Sequence, residues 1–186
     1  TKINNYKYLS EKKDNKFSLN IPVKNYIHLH FDEKWIDDLY IKNYTSINPS
    51  YEQLLSFFNS LSRENNLLIT TGVVDFELLN SLINNFFKKI NEKIFVKKTD
   101  KNNIFFVFKP NFDDIESLLR NAKTLISCHG AITHAANSFN VKSIDIIEKE
   151  RSDFYNRFTS YLSNYKSVYR SSFDILSKDL IKIASK

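Results

Sequence analysis

The stretch Lys123-Thr-Leu-Ile-Ser-Cys-His-Gly-Ala-Ile-Thr-His-Ala-Ala-Asn-Ser-Phe-Asn-Val-Lys-Ser-Ile-Asp-Ile-Ile147 decides the fold. Thr124 to Ser127 is a short apolar run that predicts a strand, and Cys128-His129-Gly130 predicts a turn. Ala131 to Phe139 predicts a small-residue helix, and Ser143 to Ile147 a second strand. A strand, a helix and a strand in so short a span predict a parallel pair joined by a crossover. Gly130 is one of only two glycines in the chain, and at that bend it lets backbone or ligand approach closely. The helix behind it presents unpaired N–H groups and the positive end of its dipole, which suits a phosphate. Ser127, Cys128, His129, Thr133 and His134 surround this corner with polar groups.

Outward from this unit the alternation continues. Toward the N-terminus, Tyr26 to Phe31 predicts a strand, and Pro49-Ser50 opens a helix over Tyr51 to Leu61. Asn66 to Thr71 predicts a strand ending at Gly72. Phe76 to Ile90 carries apolar residues at helical spacing behind Asp75, read as its cap. Strands are expected at Lys93 to Lys97 and Asn103 to Phe108, then a helix from Asp113 to Ala122. Beyond the central unit come a helix from Asp153 to Leu162, a strand from Lys166 to Tyr169 and a helix from Leu176 to Ala184. Residues 1–21 are polar and aperiodic and read as a linker or surface strap; 22–186 read as one domain. Short two-sided apolar strands between helices predict an α/β class: a doubly wound, mostly parallel Rossmann-like sheet with helices on both faces.

Composition narrows the function classes. With 42% apolar and 15% aromatic residues in 186, the chain holds enough core to fold unaided. One cysteine excludes an internal disulfide. No apolar run is long enough to predict a transmembrane segment. The net charge of +6 comes almost wholly from lysines scattered among acids, with only five arginines. That pattern argues against a specific nucleic-acid reader, while its field still draws in an anionic substrate. Methionine is absent, position 1 included, so the chain is expected to be part of a longer protein.

In an open parallel sheet, ligands bind outside the carboxyl ends of the strands. That rule selects three loops. After the first strand, Lys34 is a candidate for a phosphate and Trp35 for a base or sugar. Thr70, Thr71 and Gly72 follow the second strand. Ser127, His129, Gly130, Ala131 and Thr133 form the third set, with His129 and His134 as candidate catalytic groups. Glu148 is a candidate for ribose hydroxyls. Cys128 at a helix start has a reactive thiol as one reading and a small buried hydrophobe as the default.

The order of these rim elements resembles the nucleotide-sugar-binding half of a GT-B glycosyltransferase. Ile126-Ser-Cys-His-Gly-Ala-Ile-Thr-His-Ala-Ala136 followed by Ser143-Ile-Asp-Ile-Ile147 is similar to the diphosphate-binding junction of the heptosyltransferase-like group. The same His-Gly-Ala run with Thr133-His134 is equally similar to a group related to xylosyl- and GlcNAc-transferases. The resemblance implies transfer of a sugar from a nucleoside-diphosphate sugar to a glycan or lipid-linked acceptor. It implies no cofactor and no metal, an N-terminal Rossmann-like domain facing this one, and a cytoplasmic location, peripheral at the inner membrane surface. Two rival readings stay open. His28 and His30, with Asp32, His129 and His134, have ligand types for a metal-dependent hydrolase, and the domain could be a non-catalytic Rossmann-like module.

Overall fold

The computed structural model describes residues 19, 21–36 and 47–185. The strap expected over 1–21 therefore lies almost entirely outside the described residues. In chain order the elements are β1 (Tyr26–Phe31), α1 (Tyr51–Leu61), β2 (Leu67–Thr71), α2 (Glu77–Phe86), β3 (Lys88–Lys89), β4 (Ile94–Lys98) and β5 (Asn103–Val107). Then follow α3 (Phe112–Arg120), β6 (Ala122–Cys128), α4 (Ala131–Ser138), β7 (Lys142–Ile147), α5 (Ser152–Thr159), β8 (Tyr165–Tyr169) and α6 (Phe173–Ala184).

All eight strands form one sheet in the order β3-β4-β5-β2-β1-β6-β7-β8. The six strands from β5 to β8 in that order are parallel, and β4 pairs antiparallel with both β5 and the short edge strand β3. The chain builds outward from β1 to β2 and β5, then crosses back so that β6 pairs with the other side of β1. The strand order reverses between β1 and β6, the place where a doubly wound sheet opens a crevice for ligands.

Alternation along the strands sorts the core. Ile27, Leu29 and Phe31 of β1, with Leu67 and Ile69 of β2 and Ile126 of β6, bury against Leu54, Phe57 and Phe58 of α1 and Leu176 and Leu180 of α6. Leu125 on the other face meets Ile115 and Leu119 of α3 and Ala135 and Ala136 of α4. The small side chains of α4 let it lie close to the sheet. On this second face the strands also carry buried polar groups, His28, Thr70, Ser127 and Asp145 among them.

Four expected helices end early: that over Asp153 to Leu162 stops at Thr159, that over Ala131 to Phe139 stops at Ser138, and two others end for visible reasons. The helix expected over Phe76 to Ile90 stops at Phe86. Phe87 turns away to meet Phe106 edge-on at 5.9 Å, and Asn91 Oδ1 accepts from the Lys93 and Ile94 amides at 2.9 Å each to set the β3–β4 turn. A tertiary contact and an Asn turn thus override the helical spacing. Asp75 is not the cap: Phe76 holds that position with no side-chain bond, and Asp75 pairs with Lys109 at 2.8 Å instead. The helix expected from Asp113 to Ala122 is α3, capped one residue earlier by Asn111, and Ala122 starts β6.

Candidate functional site

The loop leaving β1 and the corner leaving β6 meet at the strand-order reversal. Asp32 caps a short 3₁₀ turn over Glu33–Trp35 by accepting from the Lys34 amide at 3.1 Å. Trp35 anchors that turn. It stacks on Phe31 with centroids 4.9 Å apart, donates from Nε1 to the His30 carbonyl at 2.9 Å, and is fully buried. Anchored this way, the turn sends Lys34 across the crevice. Its Nζ reaches the His129 carbonyl at 3.0 Å and Asp32 Oδ2 at 3.0 Å.

Gly130 caps α4 with no side-chain bond to the helix start. Its φ of 175° is extended backbone that any residue adopts. The glycine instead leaves space for the tip of a flexible side chain: a Cβ there would stand 3.0 Å from Lys34 Nζ. Gly72 has a similar origin, since a Cβ there would stand 2.6 Å from Glu33 Oε2 and 3.1 Å from Asp32 Cβ. Both glycines of the chain make room for the loop after β1. Gly130 is part exposed and Ala131 exposed, so the start of α4 opens to solvent. Lys34 carries its charge beside it, but Asp32 balances that charge, which leaves the α4 amides and His129 as the groups facing an anion.

Sequence reasoning missed the residue that holds His129. Asp145, on β7, is fully buried and lies 2.6 Å from His129 Nδ1. Thr133 Oγ1 donates to its Oδ1 at 3.1 Å, and the Tyr165 hydroxyl donates to its Oδ2 at 3.0 Å. The signal was present as one acid inside the apolar run Ser143-Ile-Asp-Ile-Ile147, because a buried carboxylate requires partners. The His129 ring also meets Tyr155 edge-on at 4.8 Å and His134 at 5.8 Å. Burial lowers the His134 pKa, with His129 adding to the effect and Asp145 opposing it. Burial raises that of Tyr165, and Asp145 adds to the rise, so its hydroxyl keeps its proton.

The other candidates divide by what already occupies them. Lys34, His129, Gly130, Ala131 and His134 come together on the rim. Gly72 lies under Glu33 on the neighbouring loop. The Thr70 hydroxyl is buried between His28 Nε2 at 2.8 Å and His30 Nδ1 at 2.9 Å. Thr71 Oγ1 accepts from the Lys109 amide at 2.8 Å, and Ser127 is buried 3.4 Å from Thr133. These hydroxyls hold the scaffold. Trp35, expected against a base or sugar, is a core residue with both faces covered. Glu148, expected at a ribose, is buried and paired with Arg170 Nε at 3.2 Å. Arg170 was also missed: it follows β8 and ties the Lys34 carbonyl and Cys128 Sγ together across the site. No pattern in its surroundings marks it.

The thiol and metal readings fail on geometry. Cys128 points into the core formed with α1 and α6, where burial pushes its pKa up despite the nearby Arg170 and Lys34. His28 and His30 both turn to Thr70 rather than converge on an ion, and among the described residues no group of three or more His, Cys, Asp or Glu is clustered to hold one. No helix among the described residues is long and apolar enough to cross a membrane.

No protein-family model matches the chain, and no curated protein matches it. Among solved structures, the wall teichoic acid polymerase TagF is similar with a TM-score of 0.42 and 14% identity, over 89% of this chain and 37% of that one. The chain thus spans well under half the length of that polymerase. A likeness of this degree assigns neither activity nor substrate, and the doubly wound α/β fold rests on the strand order itself.

Proposed function

We propose that this domain binds the phosphates of a nucleoside-diphosphate sugar and belongs to a glycosyltransferase of GT-B type. The observation that carries the reading is the contact of Lys34 with the His129–Gly130 corner at the strand-order reversal. There the exposed start of α4 offers amides to an anion, and His129 adds a hydrogen-bonding group beside them. Lys34, its charge balanced by Asp32, holds the two loops together. The corresponding mechanism is electrostatic: preorganised donors stabilise the charge that develops on the departing nucleoside diphosphate. The resemblance to the heptosyltransferase-like group supports the same reading, with a glycan or lipid-linked acceptor and a second Rossmann-like domain covering the rim as further parts of the proposal.

Calorimetric titration of UDP, ADP, GDP and CMP tests it. We expect a nucleoside diphosphate to bind, His129→Ala to weaken binding at least roughly tenfold, and Gly130→Val to weaken it by driving Lys34 from the corner. Absence of binding by every nucleotide overturns the reading.

A further inference from the structure

We propose that His129 delivers a proton through Nε2 to the departing phosphate oxygen, and that Asp145 is the positioning residue that fixes it for this task. The inference rests on the donor-site reading above. Its own ground is the set of hydrogen bonds around Asp145. Two hydroxyls, Thr133 and Tyr165, already donate to this carboxylate. An ionised carboxylate only accepts, so the 2.6 Å contact requires His129 Nδ1 to carry a proton and donate it. Neutral His129 is thereby held as the Nδ1–H tautomer with a bare Nε2, and the imidazolium presents Nε2–H. Nε2 lies on the ring edge away from Asp145, and the side chain is 17% exposed, on the rim beside Gly130. Carboxylate, imidazole and reacting atom in line is the arrangement that orients a histidine for proton transfer.

The step balances. The bond between the anomeric carbon and the phosphate oxygen breaks, its electron pair goes to that oxygen, and the Nε2 proton follows. The acceptor hydroxyl oxygen bonds the anomeric carbon and releases its proton to water, from which His129 is reprotonated. The groups facing His129 are Asp145 from β7, Tyr165 from β8, Tyr155 from α5, His134 from α4, and Lys34 from the loop after β1 with Asp32 behind it.

Long-range proton–nitrogen correlation of the labelled full chain reads the tautomer of His129, and titration with inorganic pyrophosphate reads the phosphate site. Expected are a proton on Nδ1 of neutral His129 and binding of pyrophosphate beside it. That binding should weaken at least roughly tenfold in His129→Gln and Asp145→Asn. A proton on Nε2 in the wild-type chain overturns the inference even if Asp145→Asn fails to fold, and so does pyrophosphate binding of unchanged strength in His129→Gln. With pyrophosphate still bound, either result leaves the donor-site reading standing; failure of pyrophosphate to bind removes both.

Discussion

A Cβ on Gly72 would press 2.6 Å from Glu33 Oε2 and 3.3 Å from the Asp32 Cα, whereas one on Gly130 would meet only the tip of Lys34 at 3.0 Å. The two positions therefore respond differently to alanine. Gly72→Ala must shift backbone as well as side chain and is expected to cost about 1–3 kcal/mol. Gly130→Ala displaces a flexible ammonium and should stay within about 0.5 kcal/mol of wild type. Urea denaturation of both variants checks the order, and a larger loss at Gly130 contradicts it. The position of Gly130 was legible in the sequence, but its reason was not. The bend read there predicts close approach by backbone or a ligand; the backbone is extended, and what approaches is a side chain of the same chain. What glycine leaves room for is Lys34, whose ammonium reaches the His129 carbonyl from 95 residues away, a contact that no local pattern encodes.

Elements were more legible than side-chain roles. β1 and α1 stand where alternation and the Pro49-Ser50 start place them, because local pattern and buried face agree. α2 breaks that agreement, since Phe87 and Asn91 answer to β4 and β5 rather than to the helix. The hydroxyls of Thr70, Thr71 and Ser127 sit at strand ends facing the crevice in sequence terms, yet the alternation turns them into the fold. Thr70 joins the two histidines of β1 to β2, and this pairing predicts a pH response. Burial, with His30 adding, holds the His28 pKa down to about 3 from 6.5; burial lowers His30 and His134 as well. Below pH 6.5 the unfolded chain takes up a proton that native His28 refuses until about 3. Stability is therefore full above 6.5 and falls with decreasing pH, by about 1.4 kcal/mol per pH unit for this group. The urea midpoint should drop between about pH 7 and about pH 5, and His28→Gln should flatten the drop. An equal drop in the variant contradicts the assignment.

At the scale of the whole molecule, two places compete for an anion. One is the rim at the β1–β6 reversal. The other is a cavity of about 620 Å³ at the opposite end of the sheet, lined by Arg63, Lys97, Lys98 and Lys101 together with Glu64 and Asp100. Lys97 there is tied to Asn59 at 2.9 Å and lies 5.4 Å from the centre of the Phe86 ring, so one of its cations serves the packing of β4 on the helices. The net charge of +6 draws anions toward the molecule without choosing between the two ends. Helix amides and an oriented imidazole make the choice, because they converge on one corner, whereas the cavity sets Glu64 and Asp100 among its cations. Amide proton–nitrogen shift mapping during titration with inorganic pyrophosphate decides it most directly. Shifts are expected at His129, Gly130, Ala131 and Ile132 and at Lys34 across the crevice; shifts centred on Lys97, Lys98 and Lys101, or none, contradict an anion site at the rim.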